Sequence, residues 1–405
     1  MKALSAKLSV RTEAWDRVKA KLFRKTENTP AVYLELGEIP EPDLIGPDWV
    51  KVRSIVSGIS DLDESVALNG DPLPFSSFIT FPYVPGNENV GIVTEIGNNV
   101  QGIELGERVV INPLLSCRTR GIDPPCVSCA SGNPSSCHNF GQGAPGPGVI
   151  IGACKSTFGG WADSFIAHKS QVRMIPHSVE TDLAIMVPEF ARALRAVLQH
   201  SPSAGDTVVI VGAGSLGLLT LIALQMTGYK NKTLVLAEHP FEGDLARKFS
   251  NVRVAFTQGH GTAFEEVSEF VGGIVRYPET GRPAIAGGAD LVYETTGTKQ
   301  NVEDALYLTG ERKKLVLMGM RAISDLDPAP LWFKALNVVA TSFSGKESDS
   351  RETFDMALEM ALEGCLPIAD LVTHRFSLQD YRQAFGVLRD RSVSKAVKVM
   401  FQHVV

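Results

Sequence analysis

One stretch near the middle of the chain restricts the fold more than any other. Thr207 to Val211 is a short apolar run without charge, which predicts a parallel strand buried on both faces. The glycine-rich segment 212–217 (GAGSLG) follows at once, and the apolar run from Leu218 to Met226 predicts a helix. A second strand is predicted from Thr233 to Ala237, with Glu238 directly after it. This order predicts an α/β unit built on a parallel sheet.

The glycine segment has the pattern of a turn that binds phosphates. Gly212 permits a tight turn, Gly214 lets a pyrophosphate approach the backbone, and Gly217 lets the helix pack close to the strand. The helix N-terminus offers free N–H groups, and a carboxylate after the second strand accepts hydrogen bonds from ribose hydroxyls and repels a 2′-phosphate. A glycine turn alone occurs in many α/β proteins, but this context predicts a dinucleotide site that favours NAD over NADP. The residues predicted to contact it are Gly212, Ala213, Gly214, Ser215, Leu216, Gly217 and Glu238.

Length and composition define the broad class of the protein. The chain has 405 residues, more than is usual for one domain, so we expect two domains. Apolar residues make up 44% and charged residues 21%, as in ordinary globular proteins. The formal net charge of −6 gives no reason to expect nucleic acid or a membrane as a partner, and no apolar run reaches the ~18 residues of a membrane span. Residues 1–10 carry no signal-peptide pattern, so we expect a cytoplasmic protein with a small-molecule substrate.

The cysteines are unevenly distributed. Four of the six lie between residues 117 and 137, which in a chain without a secretion signal indicates metal binding rather than disulfides. The full set is Cys117, Cys126, Cys129, Cys137, Cys154 and Cys365.

The two halves of the chain differ in pattern. Before residue 181, short β-branched runs separated by glycine and proline predict a compact, mainly antiparallel β domain. The charged segment from Ser9 to Pro30 predicts a short amphipathic helix or a solvated excursion. After Glu238 strands and helices alternate, and Tyr277 to Gly288 predicts an exposed loop. The closing strand, Ala396 to Phe401, is expected to return to the first domain.

Motifs along nearly the whole chain resemble those of the medium-chain dehydrogenase/reductase superfamily, in particular its zinc-type alcohol and polyol dehydrogenases. PGNENVGIVTEIG is similar to the family's PGHE-x-x-G-x-V-x-x-x-G, LGERVV to its G-D-R-V, and GGWADSFIAHKSQVRMIP to its GG-[FY]-AEY segment. AGDTVVIVGAGSLG resembles the cofactor unit, and ADLVYETTG resembles the strand that ends under the nicotinamide.

The resemblance implies a fold, a cofactor and an assembly. A GroES-like, mainly antiparallel β catalytic domain (1–185 and 347–405) would enclose a Rossmann domain with a doubly wound parallel sheet (186–346). Hydride would pass between NAD(H) and the substrate in the cleft between them, with Thr296 near the nicotinamide and Lys398 reaching the pyrophosphate. Homodimers or homotetramers joined through the Rossmann sheet edges are usual in the family.

The resemblance also implies a structural zinc in a lobe at about residues 112–140. Cys126, Cys129 and Cys137 have the family's spacing for the last three ligands, whereas eight residues separate Cys117 from Cys126 instead of the usual two. Arg118 to Pro125 would therefore form an inserted bulge. Four thiolates complete a tetrahedral zinc site and leave no position for chemistry. The competing interpretation is four buried free thiols.

The positions that the family uses for a catalytic zinc carry different residues here. The cysteine after the Gly-Ile dipeptide is replaced by Ser60, and the histidine of the GHE motif by Asn87. The third ligand falls near Pro188 or Glu189. A serine hydroxyl and a carboxamide are poor zinc ligands, so we predict one structural zinc and no catalytic zinc.

Without a metal, charge that develops on the substrate must be stabilised by hydrogen bonds and fixed charges. The candidate groups are Ser60, Asn87, Arg192 and Arg195, with Asp61, Asp63, Glu88 or Glu189 as proton acceptors. Ser60 could instead be a proton-relay hydroxyl. Asp63 and Glu88 could hold structural pairs with arginines. Arg192 and Arg195 share a helix face, which fits either a salt-bridged surface or a clamp for a carboxylate or phosphate.

Four functions are compatible with these patterns. The first is an NAD(H)-dependent oxidoreductase of a polar alcohol, a ketone or an activated alkene. The second retains zinc chemistry through carboxylate ligands such as Asp61 or Asp63 with Glu88 and Glu189. The third is a lyase or epimerase that oxidises its substrate transiently with a retained NAD. The fourth is a dinucleotide-binding sensor without turnover.

Overall fold

The structure is a computed structural model that describes residues 1–8, 32–69, 76–257, 262–321, 323, 325–341, 343–363 and 369–403. The predicted helix or excursion at Ser9–Pro30 and the sixth cysteine, Cys365, lie outside these residues.

Within the residues that the structure describes, the strands fall into four sheets. In chain order they are β1 (Lys2–Leu8), β2 (Val32–Glu38), β3 (Trp49–Gly58), β4 (Asn89–Ile96), β5 (Arg108–Ile111), β6 (Ser164–His168), β7 (Val172–Met174), β8 (Val208–Val211), β9 (Thr233–Ala237), β10 (Val252–Phe256), β11 (Ile274–Arg276), β12 (Ala284–Ala286), β13 (Ala289–Glu294), β14 (Thr309–Leu317), β15 (Asn337–Ala340), β16 (Val372–Phe376) and β17 (Lys398–Gln402).

The helices differ widely in length. In chain order they are α1 (Asp61–Asn69), α2 (Val127–Ala130), α3 (Thr181–Gln199), α4 (Ser215–Met226), α5 (Pro240–Ala246), α6 (Thr262–Val271), α7 (Lys299–Leu308), α8 (Ala329–Phe333), α9 (Thr353–Leu362), α10 (Tyr381–Arg389) and α11 (Arg391–Ser394). Single 3₁₀ turns occur at Pro134–Ser136, Lys169–Gln171, Ala369–Leu371 and Leu378–Asp380.

A mainly antiparallel sheet contains strands from both ends of the chain. Its order is β16-β17-β3-β4-β5-β7, and β6 pairs with β3. The last strand, β17, pairs antiparallel with β3, with Met400 opposite Gly58. This pairing confirms the prediction that the closing strand returns to the first domain. β1 and β2 form a separate antiparallel pair.

A six-stranded parallel sheet holds the glycine segment at its centre. Its order is β10-β9-β8-β13-β14-β15, so the strand order reverses beside β8. Ligands of such doubly wound sheets bind at this switch point, beyond the carboxyl ends of the strands. The strand–turn–helix–strand order predicted for residues 207–238 is confirmed, although α4 begins at Ser215, three residues earlier than predicted.

Helix α3 connects the two large sheets. Thirteen of its residues, from Ala184 to Val197, are buried. Ten of them, all apolar, belong to one core together with Val56 and Val90 of the antiparallel sheet and Val208 and Ile210 of the parallel sheet. The predicted boundary between residues 185 and 186 falls inside this helix, and the domain limits stay a prediction.

One predicted loop contains regular structure. The segment 277–288 includes β12, which pairs with β11 as an antiparallel hairpin with Val275 opposite Ile285. The prediction of an exposed loop is wrong at residues 284–286, which form a strand with Ile285 fully buried against the parallel sheet's apolar core. Of the residues that the structure describes, none form a helix with the length and apolarity to cross a bilayer.

Candidate active site between the two sheets

The glycine turn forms one wall of a groove. Gly212 has a φ of +102°, and a Cβ on it would lie 2.4 Å from Cγ2 of Thr296. A Cβ on Gly217 would lie 2.1 Å from the carbonyl oxygen of Gly212, so close packing of α4 against the turn requires glycine. At Gly214 a Cβ would meet only Nη1 of Arg391, at 3.6 Å, among the described residues. The backbone of Gly214 therefore faces the groove.

The groove has a volume of about 480 Å³ and gathers all nine residues predicted to contact the cofactor. They are Gly212, Ala213, Gly214, Ser215, Leu216, Gly217, Glu238, Thr296 and Lys398. Glu238 is exposed at the end of β9. Glu64, Arg321 and Arg391 also line the groove, and sequence reasoning missed them. They come from α1, the segment after β14, and α11, and no local pattern associates these three places.

Ser60, Asp63 and Asn87 form a buried hydrogen-bonded group. Ser60 Oγ donates to Asp63 Oδ2 at 2.8 Å, and Asn87 Nδ2 donates to Ser60 Oγ at 2.7 Å and to Asp63 Oδ2 at 3.1 Å. The backbone N–H of Asp63 donates to Ser60 Oγ, and that of Ser60 donates to Asp63 Oδ2, which is a capping box at the start of α1. The Ser-x-x-Asp spacing is typical of such a cap, and sequence reasoning missed it. The group therefore has a structural role beside any chemical one.

Lys398 lies between two carboxylates. Its Nζ donates to Glu88 Oε1 at 2.8 Å and to Glu189 Oε2 at 2.7 Å, and Lys398 and Glu88 are both at least 97% buried. The other oxygen of Glu189, Oε1, accepts from Ser215 Oγ of the glycine turn at 2.7 Å. Glu189 lies inside α3. The structure thus places the Lys398 ammonium on Glu88 and Glu189, and its predicted contact with a pyrophosphate stays a prediction.

Asp61 and Arg192 form a bidentate pair across the cleft. Both pairs of atoms are 2.9 Å apart, and Asp61 Oδ2 also accepts from the backbone N–H of Met320. Arg192 donates further to the carbonyl oxygen of Met318. Arg195, three residues on, pairs with Glu347 at 2.8 Å. Both arginines form salt bridges, as one interpretation predicted, but both are buried, so their predicted location on the surface is wrong.

The interpretation that Asp63 and Glu88 pair with arginines is also wrong. Among the described residues, Asp63 contacts Ser60, Asn87 and the backbone of Gly86, and Glu88 contacts Lys398. Serine and asparagine bring no positive charge to Asp63, so they lower its pKa less than an arginine would.

Burial dominates the ionisation of these acids. It raises the pKa of Asp63 to about 6, although hydrogen bonds from Ser60 and Gly86 oppose it. Burial also raises the pKa of Glu88 above its ordinary value against the attraction of Lys398. At Lys398 and at Asp61 burial is outweighed: two carboxylates raise the pKa of Lys398, and the charge of Arg192 lowers that of Asp61. Asp63 is thus the acid in this group that combines a pKa raised toward neutrality with hydrogen-bond partners that carry no positive charge.

A narrow cleft continues from the groove. Its walls include Ser60, Asn87, Glu88, Arg192 and Phe343. Asp61 and Glu189 line both the groove and the cleft, so the two are contiguous. The cleft has a volume of about 10 Å³, room for a single water molecule, so a substrate that meets a molecule in the groove beside Asp61 and Glu189 requires the cleft to widen.

Four cysteines come together in a lobe beside this site. The sulfur atoms of Cys117, Cys126, Cys129 and Cys137 all lie within 4.8 Å of one another, and the group could hold a metal ion. It is the one such group of three or more His, Cys, Asp or Glu side chains within the described ranges. The backbone N–H of Cys126 and the Asn139 side chain donate to Cys117 Sγ, each at 3.3 Å. Such donors stabilise thiolate ligands.

The extra residues of the lobe are fixed by a buried arginine. Arg120 lies in the segment 118–125, and its guanidinium donates to the carbonyl oxygens of Gln142, Pro145, Gly146 and Gly148. Arg120 is 97% buried. These four bonds connect the insertion to the far side of the lobe and leave the four sulfurs together.

Comparison with known proteins agrees with this architecture. Residues 46–177 match the alcohol dehydrogenase GroES-like domain family. A probable D-xylulose reductase A from Arthroderma otae is 26% identical over 362 residues, 89% of this chain and 92% of that protein. An L-threonine 3-dehydrogenase from Rhizobium etli is 25% identical over 375 residues, 92% of this chain and 96% of that protein.

The fold is also shared with a solved structure. The alcohol dehydrogenase from the hyperthermophilic archaeon Aeropyrum pernix aligns with a TM-score of 0.75 and 18% identity over 100% of both chains. The chain therefore contains an alcohol dehydrogenase GroES-like domain over residues 46–177 and is similar along about nine tenths of its length to dehydrogenases of the medium-chain type, which supports an NAD-dependent oxidoreductase; the solved structure shows a shared fold.

Proposed function

We propose that the protein transfers a hydride between NAD(H) and a polar, uncharged alcohol or ketone, or an activated alkene, without a metal in the reaction cleft. The observation that carries this proposal is the continuity of groove and cleft at Asp61 and Glu189. It gives a bound dinucleotide and a substrate a common boundary.

The groove fits a dinucleotide at both ends. Gly214 leaves its backbone open at the start of α4, where N–H groups and the helix dipole attract phosphates. Glu238 follows β9 at the position of a ribose-binding acid and favours NAD over NADP by charge repulsion. When bound, the nicotinamide supplies the hydride or accepts it.

The residues of the cleft do not fit a catalytic zinc. Ser60 and Asn87 satisfy each other by a direct hydrogen bond, and neither is a good ligand. Glu189 is engaged by the Lys398 ammonium, and a second cation there would be repelled. The alternative of carboxylate ligands is not supported either, because Asp61, Asp63, Glu88 and Glu189 each have protein partners and form no metal-binding group in the described part of the chain.

Proton transfer is assigned to Ser60 and Asp63. In the oxidation direction the substrate hydroxyl replaces the long 3.2 Å bond from the Asp63 N–H at Ser60 Oγ, which accepts the substrate's proton and passes its own proton to Asp63 Oδ2, 2.8 Å away. Asn87 orients Ser60 by donating to its Oγ. Asp61 is excluded as the base because Arg192 and the N–H of Met320 occupy its oxygens. Since Asp61 also neutralises Arg192, the cleft offers no free guanidinium there for a substrate carboxylate, which favours uncharged substrates.

The four cysteines fit a structural zinc. Their chemistry and mutual distances suit a closed tetrahedral site that stabilises the lobe, and we propose one zinc per chain. Assembly as a homodimer or homotetramer and a cytoplasmic location stay predictions.

Metal analysis combined with turnover tests the proposal. We expect one zinc per chain, tighter binding of NADH than of NADPH, and NADH formation with some members of a panel of uncharged polyols and secondary alcohols. Two zinc ions per chain would contradict the metal-free cleft. Product formation without any net change in NADH absorbance would favour a lyase or epimerase, and NADH binding without turnover on any panel member would favour a sensor.

A further inference from the structure

An arginine pair in the cofactor groove has no role in the function proposed so far. Arg321 Nη2 donates to Glu64 Oε1 at 2.8 Å, and Arg391 Nη2 donates to Glu64 Oε2 at 2.7 Å. Glu64 is 94% buried in the first turn of α1, the same turn that contains Ser60's cap. One carboxylate therefore holds two guanidinium groups that come from different parts of the fold.

Both arginines have hydrogen-bonding capacity left over. Nη1 of Arg391 makes no hydrogen bond to the residues that the structure describes, and it is the neighbour nearest to the point where a Cβ on Gly214 would lie. Nε of Arg321 is buried and lacks a hydrogen-bond partner within the described part of the chain. A buried N–H without an acceptor is costly, so a ligand that provides acceptors gains binding energy there.

The charges of the group do not cancel. Two guanidinium groups and one carboxylate leave one positive charge, and the N-terminus of α4 adds partial positive charge from the opposite wall. A diphosphate carries two negative charges and several acceptor oxygens, and planar guanidinium groups bind such oxygens well. Lys398 supplies no free charge there because two carboxylates surround it.

We infer that Arg391 binds the diphosphate of the dinucleotide opposite Gly214, that Arg321 contributes a second guanidinium, and that Glu64 positions both. This inference rests on the proposed function and names the cation that faces the glycine turn. Glu64 keeps the arginine side chains extended toward the groove, so that little conformational freedom is lost when the ligand arrives.

The test compares ligands with and without a diphosphate. Binding of NADH, ADP and adenosine is measured by calorimetry for the wild type, for Arg391→Gln, and for the control Lys395→Gln. Lys395 is an exposed cation of the same segment that does not line the groove. We expect Arg391→Gln to weaken NADH and ADP by about tenfold to a hundredfold, the value of a charged hydrogen bond, and to leave adenosine nearly unchanged. Lys395→Gln should change all three only slightly.

Equal losses in the two variants would mean a general effect of net charge and would overturn the inference. So would unchanged ADP binding by Arg391→Gln. In both cases NADH still binds the wild type, and the proposed function survives. A wild type that binds neither NADH nor ADP would overturn the proposed function together with this inference.

The direction in which Glu64→Gln changes the affinity for ADP distinguishes two roles of Glu64. If Glu64 only added negative charge, Glu64→Gln would tighten ADP binding, because it removes a charge that repels the diphosphate. If Glu64 positions the arginines, Glu64→Gln weakens ADP binding, and the loss is much smaller in an Arg391→Gln background. Tighter ADP binding by Glu64→Gln would refute the positioning role.

Discussion

The cysteine lobe and the reaction cleft are the two places where the resemblance to zinc-type dehydrogenases implies a metal, and their sequences depart from the family's motifs in opposite ways. In the lobe the ligand types are retained while their spacing has changed, yet the four sulfurs lie within 4.8 Å of one another. In the cleft the positions are retained while the ligand types have changed. Asn87 Nδ2 donates a hydrogen bond to Ser60 Oγ at 2.7 Å, and Glu189 accepts a hydrogen bond from the Lys398 ammonium.

The difference shows which property each site depends on. A closed site needs four thiolates at the right mutual distances, and a loop can supply them with several spacings if something fixes the loop. Arg120 does so here through bonds to four carbonyl oxygens. A reaction site needs particular electronic properties at fixed points, so a change of residue type changes the chemistry even when the geometry is kept.

The largest expected effect concerns the lobe. Cys117→Ser should reduce bound zinc from one equivalent to nearly none and lower the melting temperature, because apparent binding free energies of structural zinc sites reach about 10–16 kcal/mol. Cys154→Ser is the matched control, since Cys154 is buried nearby but does not belong to the cluster. Zinc measured by mass spectrometry should stay at one equivalent in the control. Full zinc content in Cys117→Ser would show that the ligand set is wrong.

Much of this comparison could be predicted from the sequence, for local reasons. The alternation of strands with helices and the glycine spacing are short-range patterns, and the parallel sheet around β8 follows from them. The cysteines lie close together in the chain, so their association required only a compact loop. Ser60 and Asn87 could be identified as substitutions because each lies within a recognisable motif.

The electrostatic partners could not be predicted, because they join distant segments. Lys398 meets Glu88 across 310 positions of the chain, and Arg391 meets Glu64 across 327. Nothing in the neighbourhood of either residue specifies such a pair. The expected arginine partners of Asp63 and Glu88 were wrong for the same reason, since only the packing of α1, α3 and β17 decides which cation arrives.

The second prediction concerns the proton path in the cleft. Ser60→Ala should lower kcat/KM for alcohol oxidation by about 10²–10⁴-fold, the usual contribution of positioned proton transfer. It also removes a helix cap worth about 0.5–2 kcal/mol, so stability must be measured beside activity. Ser60→Thr keeps both the hydroxyl and the cap and is the control. Equal activity of the alanine and threonine variants would mean that Ser60 serves only as a cap.

The pH dependence gives a third prediction, for Asp63. In the wild type kcat/KM for oxidation should rise through about pH 6, where Asp63 loses its proton. The folded chain also holds this proton more tightly than the unfolded chain, whose pKa stays near the ordinary 3.8. Between about pH 4 and 6 the unfolded state therefore binds fewer protons, and the free energy of unfolding falls as pH rises, by roughly 3 kcal/mol. Asp63→Asn should remove both slopes in activity and urea-unfolding profiles; an unchanged stability slope would place the titration elsewhere.

A fourth prediction concerns Lys398, the cation that neutralises the two glutamates of the cleft. Lys398→Met leaves the buried Glu88 and the partly buried Glu189 together without a counterion, which should cost about 3–5 kcal/mol in the free energy of unfolding. The loss should shrink at low pH, because burial and mutual repulsion raise the pKa of Glu88 and protonation relieves both. Lys398→Arg preserves the charge and serves as the control in urea unfolding at several pH values. If Lys398→Met also bound a second zinc, the ammonium rather than the ligand substitution would be what keeps the cleft free of metal.

The smallest expected effect separates the two sites most directly. A chelator such as EDTA should leave the initial rate of turnover unchanged, because the proposed chemistry uses Ser60 and Asp63 and no metal ion. On longer incubation the rate should decline only as fast as the chain loses zinc from the cysteine lobe, whose closed coordination leaves no position for the chelator to attack. The comparison requires zinc release and turnover to be followed in the same sample. Inhibition within the mixing time, before any lobe zinc is released, would place a catalytic metal in the cleft, and the contrast between the two sites would then be wrong.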